Sequence, residues 1–304
     1  MSAQLLESGH LQNLDASSYV EPPAVSRTFH SLAFANGFSR LFVALVCLTL
    51  AASVVWVRSA TPLPRAFSHN DYQQPRPLAD ALEQGFCSVE ADIYPVEGKL
   101  LVAHDRDRVQ SNRDLEVLYL KPLHERVDRN GGRVFPGGPE FVLLIDIKAS
   151  PEESYRLLRP LLERHAAMLT RFTTSATITG AVTVILSGDR PIERLRSETN
   201  RWCALDGRLP DLDANPSPHL FPLVSDSWRP TFAWMENEVL PEADRTRLRE
   251  FVRRAHEQGR RIRFWGTQDQ PYAWTEFKRA GVDLINTDNV TALARFLNPP
   301  IAPP

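Results

Sequence analysis

Beyond residue 61 the chain alternates short apolar runs with stretches of helical periodicity. RAFSH (65–69) predicts a first strand, and PLADALEQG (77–85) a helix ended by a glycine. SVEADIY (88–94) predicts a second strand, and VEGKLLVAHD (96–105) a turn followed by an extra strand. FVLLIDIK (141–148) is almost continuously apolar, as suits a parallel strand covered on both faces. PEESYRLLRPLLERHAAML (151–169) predicts a helix with acidic residues in its first turn. AVTVILSG (181–188), WCALDG (202–207) and LFPLVSD (220–226) predict three further strands. PEADRTRLREFVRRAHEQG (241–259) is a strongly amphipathic helix, opened by a proline and closed by a glycine. RIRFWGT (261–267) and DLINTD (283–288) predict strands, with helices at 271–281 and 291–297.

Eight strands alternating with helices over 62–298 have the size of a TIM (β/α)8 barrel, which needs about 250 residues. An open, doubly wound sheet would alternate in the same way. The glycine-rich loops with which such sheets bind nucleotides, GxGxxG and GxxxxGK[ST], do not occur. The predicted fold class is therefore α/β, a (β/α)8 barrel.

The N-terminal part differs in pattern. Residues 1–40 are polar and weakly patterned and predict a disordered tail. Residues 41–57, LFVALVCLTLAASVVWV, are apolar, uncharged and bracketed by Arg40 and Arg58. The long stretch before them and the poor cleavage motif after them favour a retained signal anchor over a cleaved signal peptide. A buried core helix is the third alternative. Both main readings put the barrel outside the cytoplasmic membrane, periplasmic or extracellular, as a membrane-anchored or secreted domain.

Composition narrows the class of partner. Of 304 residues, 43% are hydrophobic and 24% charged, and the formal net charge is -2. A nucleic-acid binder would carry a basic surplus, so none is expected as partner. No protein partner is predicted, and the membrane is reached through the N-terminal segment. Cys87 and Cys203 fall on well-separated predicted strands and are expected to stay unpaired thiols.

Barrel enzymes carry their chemistry at the C-terminal ends of strands. Strand one ends in His69-Asn70-Asp71, and strand two carries Glu90 and Asp92. The extra strand ends in His104-Asp105, and strand three ends in Asp146 and Lys148. Glu90 and Asp92, two apart, face the same way. With Asp146 they make an oxygen donor set suited to a hard divalent cation, Mg²⁺ or Ca²⁺. An imidazole titrates near neutrality as a class, so the pair His69 and His104 suits proton transfer to and from oxygen. Lys148 can hold a phosphate oxygen. Asn70, Tyr72 and Asp105 can orient the histidines or a ligand, and Trp265 can line the pocket. For Trp265, Asp226, Ser187 and Asp288 a structural role is the stronger expectation. Two carboxylates so close on one strand are poorly spaced for a glycosidase, which needs roughly 5–9 Å across the bond.

The segment FSHNDYQQPRPLADALEQGFCSVEADIYPVEGKLLVAHD resembles the opening of the glycerophosphodiester phosphodiesterases and related phospholipase-C-like barrels. These families show a strand-one His, an ExD on strand two and an HD after a short turn. LLIDIK and GVDLINTD resemble their third and closing strands. SHNDY, SVEAD, LLIDIK and GVDLINTD together resemble most the altered-inheritance-of-mitochondria phosphodiesterase-like subgroup and its bacterial relatives. The resemblance implies a phospholipase-C-like phosphodiesterase barrel. Glu90, Asp92 and Asp146 would bind the metal, His69 and His104 would form the acid/base pair, and Lys148 would face phosphate. It implies a phosphoric diester hydrolase acting on a glycerophosphodiester- or phospholipid-like small molecule. The chain departs from the glycerophosphodiesterase pattern after His69, where Asn70-Asp71 replace Arg-Gly. The rival expectation is a barrel that binds a metal or a phospholipid headgroup without turnover.

Overall fold

The computed structural model describes residues 60–234 and 239–299. The tail and apolar run expected at 1–57 lie outside the described residues. Among the described residues no helix is long and apolar enough to cross a membrane.

The strands, in chain order, begin with β1 (Leu63–Ser68), β2 (Phe86–Val96), β3 (Lys99–Val102) and β4 (Phe141–Ile147). Then come β5 (Arg171–Thr173), β6 (Thr177–Ile178), β7 (Val182–Gly188), β8 (Asn200–Arg201) and β9 (Ala204–Gly207). The last are β10 (Leu223–Ser227), β11 (Arg261–Trp265) and β12 (Ile285–Thr287). Eight of them pair in parallel in the order β11-β10-β9-β7-β4-β2-β1-β12. A parallel bridge between Arg263 and Leu284 joins β11 to β12 and closes the ring. The fold is the expected (β/α)8 barrel. β3 folds back antiparallel on β2.

The physical reasons for the pattern are visible element by element. β4 is buried at every position except Asp146, as a strand between lumen and helix layer must be. The helix Pro151–Arg164 starts with Pro and carries Glu152 and Glu153 in its first turn, where the helix dipole favours negative charge. The helix Pro271–Ala280 ends at Gly281, whose φ of 87° is the left-handed conformation a helix cap requires.

Two apolar clusters form. The larger lies between the strands and the helical layer and includes Val89, Ile93, Leu143 and Trp274. The smaller is Phe67, Val142, Leu144, Phe172, Ile185, Ala204, Leu223 and Leu284. Its strand members alternate with those of the larger cluster, so it fills the lumen. Phe172 joins it from a small antiparallel sheet of β5, β6 and β8, beside the N-terminal end of β7.

Several features were not among the expected elements, the short helix Ile192–Ser197 among them. Residues 116–129 form a π-turn, Glu116–Leu120, running into a helix, Lys121–Arg129. Tyr119, Leu120, Leu123 and Val127 are its buried positions, and Pro122, at the start of the helix, masks the periodicity. Strands β5, β6 and β8 are two or three residues long, too short to show alternation. Cys87 and Cys203 are both free and buried.

Candidate active site

Register decides which side chains meet. Asp92 on β2 stands beside Asp146 on β4, and Asp146 beside Ser187 on β7. Glu90, two residues before Asp92, stands beside Leu144, a lumen residue. The three carboxylates therefore point into the barrel. One oxygen of each of Glu90, Asp92 and Asp146 lies within 4.8 Å of the others.

The group is held but not satisfied. Lys148 Nζ is 2.9 Å from Asp92 Oδ2 and 3.5 Å from Asp146 Oδ2. Arg263, from β11, places Nη2 3.0 Å from Glu90 Oε2. Asp92 Oδ1 is buried without a hydrogen-bond partner, and Glu90 Oε2 is buried with the Arg263 ion pair alone. Burial, then the charges of Glu90 and Asp146, lift Asp92 from 3.8 to about 6, against the pull of Lys148. Burial raises Asp146 as well. Burial disfavours the Lys148 ammonium, but Asp92 and Asp146 outweigh it and raise its pKa. Hard oxygen donors that repel one another and keep an unpartnered oxygen fit a divalent cation.

His69 leaves β1 at its C-terminal end, where its N–H donates to Thr287 O across to β12 at 3.0 Å. Its Nδ1 is 2.8 Å from Asp288 Oδ1, just past β12. Asn70, in the left-handed region at φ 48°, sets Nδ2 2.9 Å from His69 Nδ1 and 3.2 Å from Asp288 Oδ1. Asp288 is an acceptor only, so it takes both an Nδ1–H and an Asn70 N–H. Of the two contacts at Nδ1, the shorter and charge-assisted one to Asp288 places the ring proton on Nδ1; Asn70 Nδ2 then donates to Asp288, and the Nε2 lone pair is free. Burial opposes the Asp288 charge, but the bond from His69 prevails and lowers its pKa. The Tyr72 hydroxyl lies 2.6 Å from Asn70 Oδ1 and 2.7 Å from Asp92 Oδ2, linking the histidine to the carboxylates.

His104 follows β3. Ala103 N–H donates to Asp92 O at 3.1 Å, and the Tyr94 hydroxyl to His104 O at 3.1 Å, so its backbone is tied to β2. Its Nδ1 lies 2.9 Å from Asp105 Oδ1. The His104 side chain is 52% exposed and that of His69 23%, so one imidazole opens to solvent and the other is enclosed.

A cavity of about 530 Å³ opens on these groups. His69, Asn70, Glu90, His104, Asp146, Lys148 and Trp265 line it. Asp92 sits behind its wall, fully buried within the carboxylate cluster. Of the strand-end residues expected to be structural, Asp226 does act so, accepting from Leu209 N and Ser227 N. Asp288 orients His69, and Ser187 and Trp265 reach the cavity. Two basic lining residues had not been expected there: Arg208, beyond β9, and Arg263. The pattern R-I-R-F-W carries a signal for the second. Ile262 and Phe264 belong to the outer cluster, which turns Arg263 inward.

The closed parallel barrel, with acidic and imidazole groups gathered beyond the C-terminal ends of its strands, defines a phosphodiesterase-type barrel. Residues 56–206 match the model of the AIM6-like phosphodiesterase domain, and residues 261–291 that of the glycerophosphoryl diester phosphodiesterase family. The chain resembles the AIM6-like phosphodiesterases along most of its length. It is 28% identical over 267 residues to the altered inheritance of mitochondria protein 6 homolog of Arthroderma benhamiae. That match covers 77% of this chain and 84% of the relative. It is 29% identical over 276 residues to altered inheritance of mitochondria protein 6 of Eremothecium gossypii, covering 79% and 71%. A solved glycerophosphodiester phosphodiesterase from Parabacteroides distasonis superposes with a TM-score of 0.48 at 15% identity, covering 78% of this chain and 98% of its own.

Proposed function

We propose that the protein is a metal-dependent phosphoric diester hydrolase acting on a glycerophosphodiester- or phospholipid-like substrate by His/His acid–base catalysis. The observation that carries this is the meeting of two imidazoles in one cavity with a cluster of three carboxylates, one of whose buried oxygens, Asp92 Oδ1, has no partner. Glu90, Asp92 and Asp146 would hold Mg²⁺ or Ca²⁺, which supplies charge neutralisation for a phosphoryl oxygen. His69, with Nδ1–H on Asp288, presents Nε2 as the base that takes the proton of the attacking water or neighbouring substrate hydroxyl. Asp288 stabilises the imidazolium that results. His104 gives its proton to the leaving alcohol as the bond from phosphorus to the leaving oxygen breaks. Lys148 and Asn70 face the same space and position the substrate, with Trp265 at the rim. On the apolar run at 41–57 we place the barrel outside the cytoplasmic membrane, tethered to it or secreted.

The test is a panel of glycerophosphodiesters, lysophospholipids, sphingomyelin and bis-p-nitrophenyl phosphate, assayed with Mg²⁺ or Ca²⁺ and again with EDTA. Hydrolysis of at least one diester, abolished by EDTA, is expected. His69→Ala and His104→Ala should each lose about 10²–10⁴-fold in turnover. Losses below about tenfold at both positions would remove the acid–base pair. Ion binding without hydrolysis of any diester would leave a non-catalytic metal- or headgroup-binding barrel instead.

A further inference from the structure

Arg263 is 3% exposed, yet it lines the cavity. Its guanidinium lies 4.0 Å from the centre of the Phe67 ring, which fixes its plane. One nitrogen, Nη2, meets Glu90. Nε and Nη1 are buried and have no hydrogen-bond partner. Burying charged donors unpaired is costly, and the free N–H groups at Nε and Nη1, on the two edges that flank the bound Nη2, match oxygens of an anion.

Arg208 borders the same cavity. Its Nη1 is committed, 2.8 Å from Asp206 Oδ2 and 2.9 Å from Gly207 O. Nη2 makes only a long contact of 3.3 Å to Ser187 Oγ. Asp206 is fully buried on β9 and also accepts from Ser187 and Ser225, so it anchors Arg208 rather than facing a ligand. Arg190 donates to the Asp206 carbonyl and braces the same strand end.

We propose that Arg263 and Arg208 form an oxyanion-binding wall on the β9–β11 side of the cavity, holding the non-bridging phosphoryl oxygens of a singly charged phosphodiester. The inference deepens the phosphodiesterase reading and rests on it for the identity of the anion. Arg263 supplies the free donors, and Arg208 a further donor set in place by Asp206. The wall recognises the phosphoryl group itself, so it does not choose between the alcohols attached to it.

Calorimetric titration of inorganic phosphate into the Mg²⁺-loaded protein tests this directly. Arg208→Gln and Arg263→Lys should each weaken phosphate binding about 10- to 100-fold, the loss of a charge-assisted hydrogen bond. Mg²⁺ affinity in Arg208→Gln should stay within about threefold, and KM for bis-p-nitrophenyl phosphate should rise more than kcat falls. Should Arg263→Lys fail to fold, Arg208→Gln, at a part-exposed position, decides alone. No phosphate binding by the unsubstituted protein, or binding within twofold of it in the folded variants, overturns the wall. The two proposals fail separately. Arginine-dependent phosphate binding without diester hydrolysis would keep the wall and remove the enzyme. Hydrolysis with KM unmoved in Arg208→Gln would keep the enzyme and remove the wall.

Discussion

Asp71 and Asp92 are both carboxylates with no exposed surface, and burial lifts each from 3.8 to about 6. Their surroundings differ in the number of donors. Asp71 accepts from Ser68 Oγ at 2.8 Å, from Leu78 N–H at 2.6 Å and from the Tyr119 hydroxyl at 3.0 Å. Each of its oxygens has a partner, and the bonds tie the turn after β1 to the start of the helix Ala79–Glu83 and to Tyr119. Asp92 has Tyr72 and Lys148 on one oxygen and nothing on the other. A pKa raised by burial therefore does not separate a structural carboxylate from a functional one. What separates these two is an unpartnered oxygen set among two further carboxylates, which Asp92 has and Asp71 lacks.

The largest expected effect breaks this comparison at Asp92. Asp92→Asn keeps the shape of the side chain and removes a buried negative charge. Turnover should fall by about 10³-fold or more, and Mg²⁺ or Ca²⁺ affinity by at least about 100-fold, the upper end of what an outer-shell partner alone costs. Stability should stay within about 1 kcal/mol or improve, because a charge repelled by Glu90 and Asp146 has gone. Calorimetric ion titration and thermal unfolding measure the two arms. Intact ion binding with a loss of several kcal/mol would make Asp92 a structural group like Asp71.

Gly188 tests the ion site from its backbone. It ends β7 at φ +67°, and a Cβ there would stand 2.1 Å from Asp146 Oδ1 and 2.4 Å from Ile147 O. Only glycine lets the chain pass so close to a carboxylate that must keep its aim. Gly188→Ala should push Asp146 aside and lower ion affinity about 10- to 100-fold. Ion titration that gives the unsubstituted value would mean that Asp146 is not needed in its present place.

Much of this centre was legible in the sequence, for reasons that can be named. SVEAD and FVLLIDIK read as buried parallel strands, and carboxylates two apart on a strand share a face whatever the register. A single strand-end histidine is more often structural; His69 and His104 stood out only as a pair beside the carboxylates. Arg263 and Arg208 did not stand out. Lysines and arginines are as a rule solvated, and only the ring of pairings turns Arg263 into the lumen. Asp288 was legible as a strand end, but its bond to His69 depends on β12 closing against β1, across 219 residues of chain. The helix at 121–129 was hidden by Pro122, and the two- and three-residue strands by their length.

At Asp71 the effect should be on the fold alone. Asp71→Ala leaves the Leu78 N–H and the Tyr119 hydroxyl buried without an acceptor and should cost about 2–4 kcal/mol. Ion affinity of the folded fraction should stay within about threefold. Denaturant unfolding and ion titration on one preparation supply both values. A loss of ion binding without a loss of stability would invert the contrast with Asp92.

The smallest effect is in the pH dependence of stability, and its sign follows from the raised pKa. Between 3.8 and about 6 the folded protein keeps a proton on Asp71 and on Asp92 that the unfolded chain has released. Folding is thus favoured at the acid end of this window, and each group withdraws stability as pH rises through it, by about 3 kcal/mol at most. Asp71→Asn keeps an acceptor for Leu78 and can turn its amide to Ser68 Oγ, so its main effect is to remove that slope. Relative to the unsubstituted protein, Asp71→Asn should gain about 1–2 kcal/mol between pH 4.5 and pH 7, with or without a divalent ion. The share of Asp92 should vanish only when the ion is present, because a bound cation holds the carboxylate ionised. Urea unfolding at the two pH values, with Mg²⁺ and with EDTA, separates the shares. If Mg²⁺ flattened the Asp71 contribution and left that of Asp92, the ion would be sitting at the wrong carboxylate, and the unpartnered oxygen would have been a poor guide.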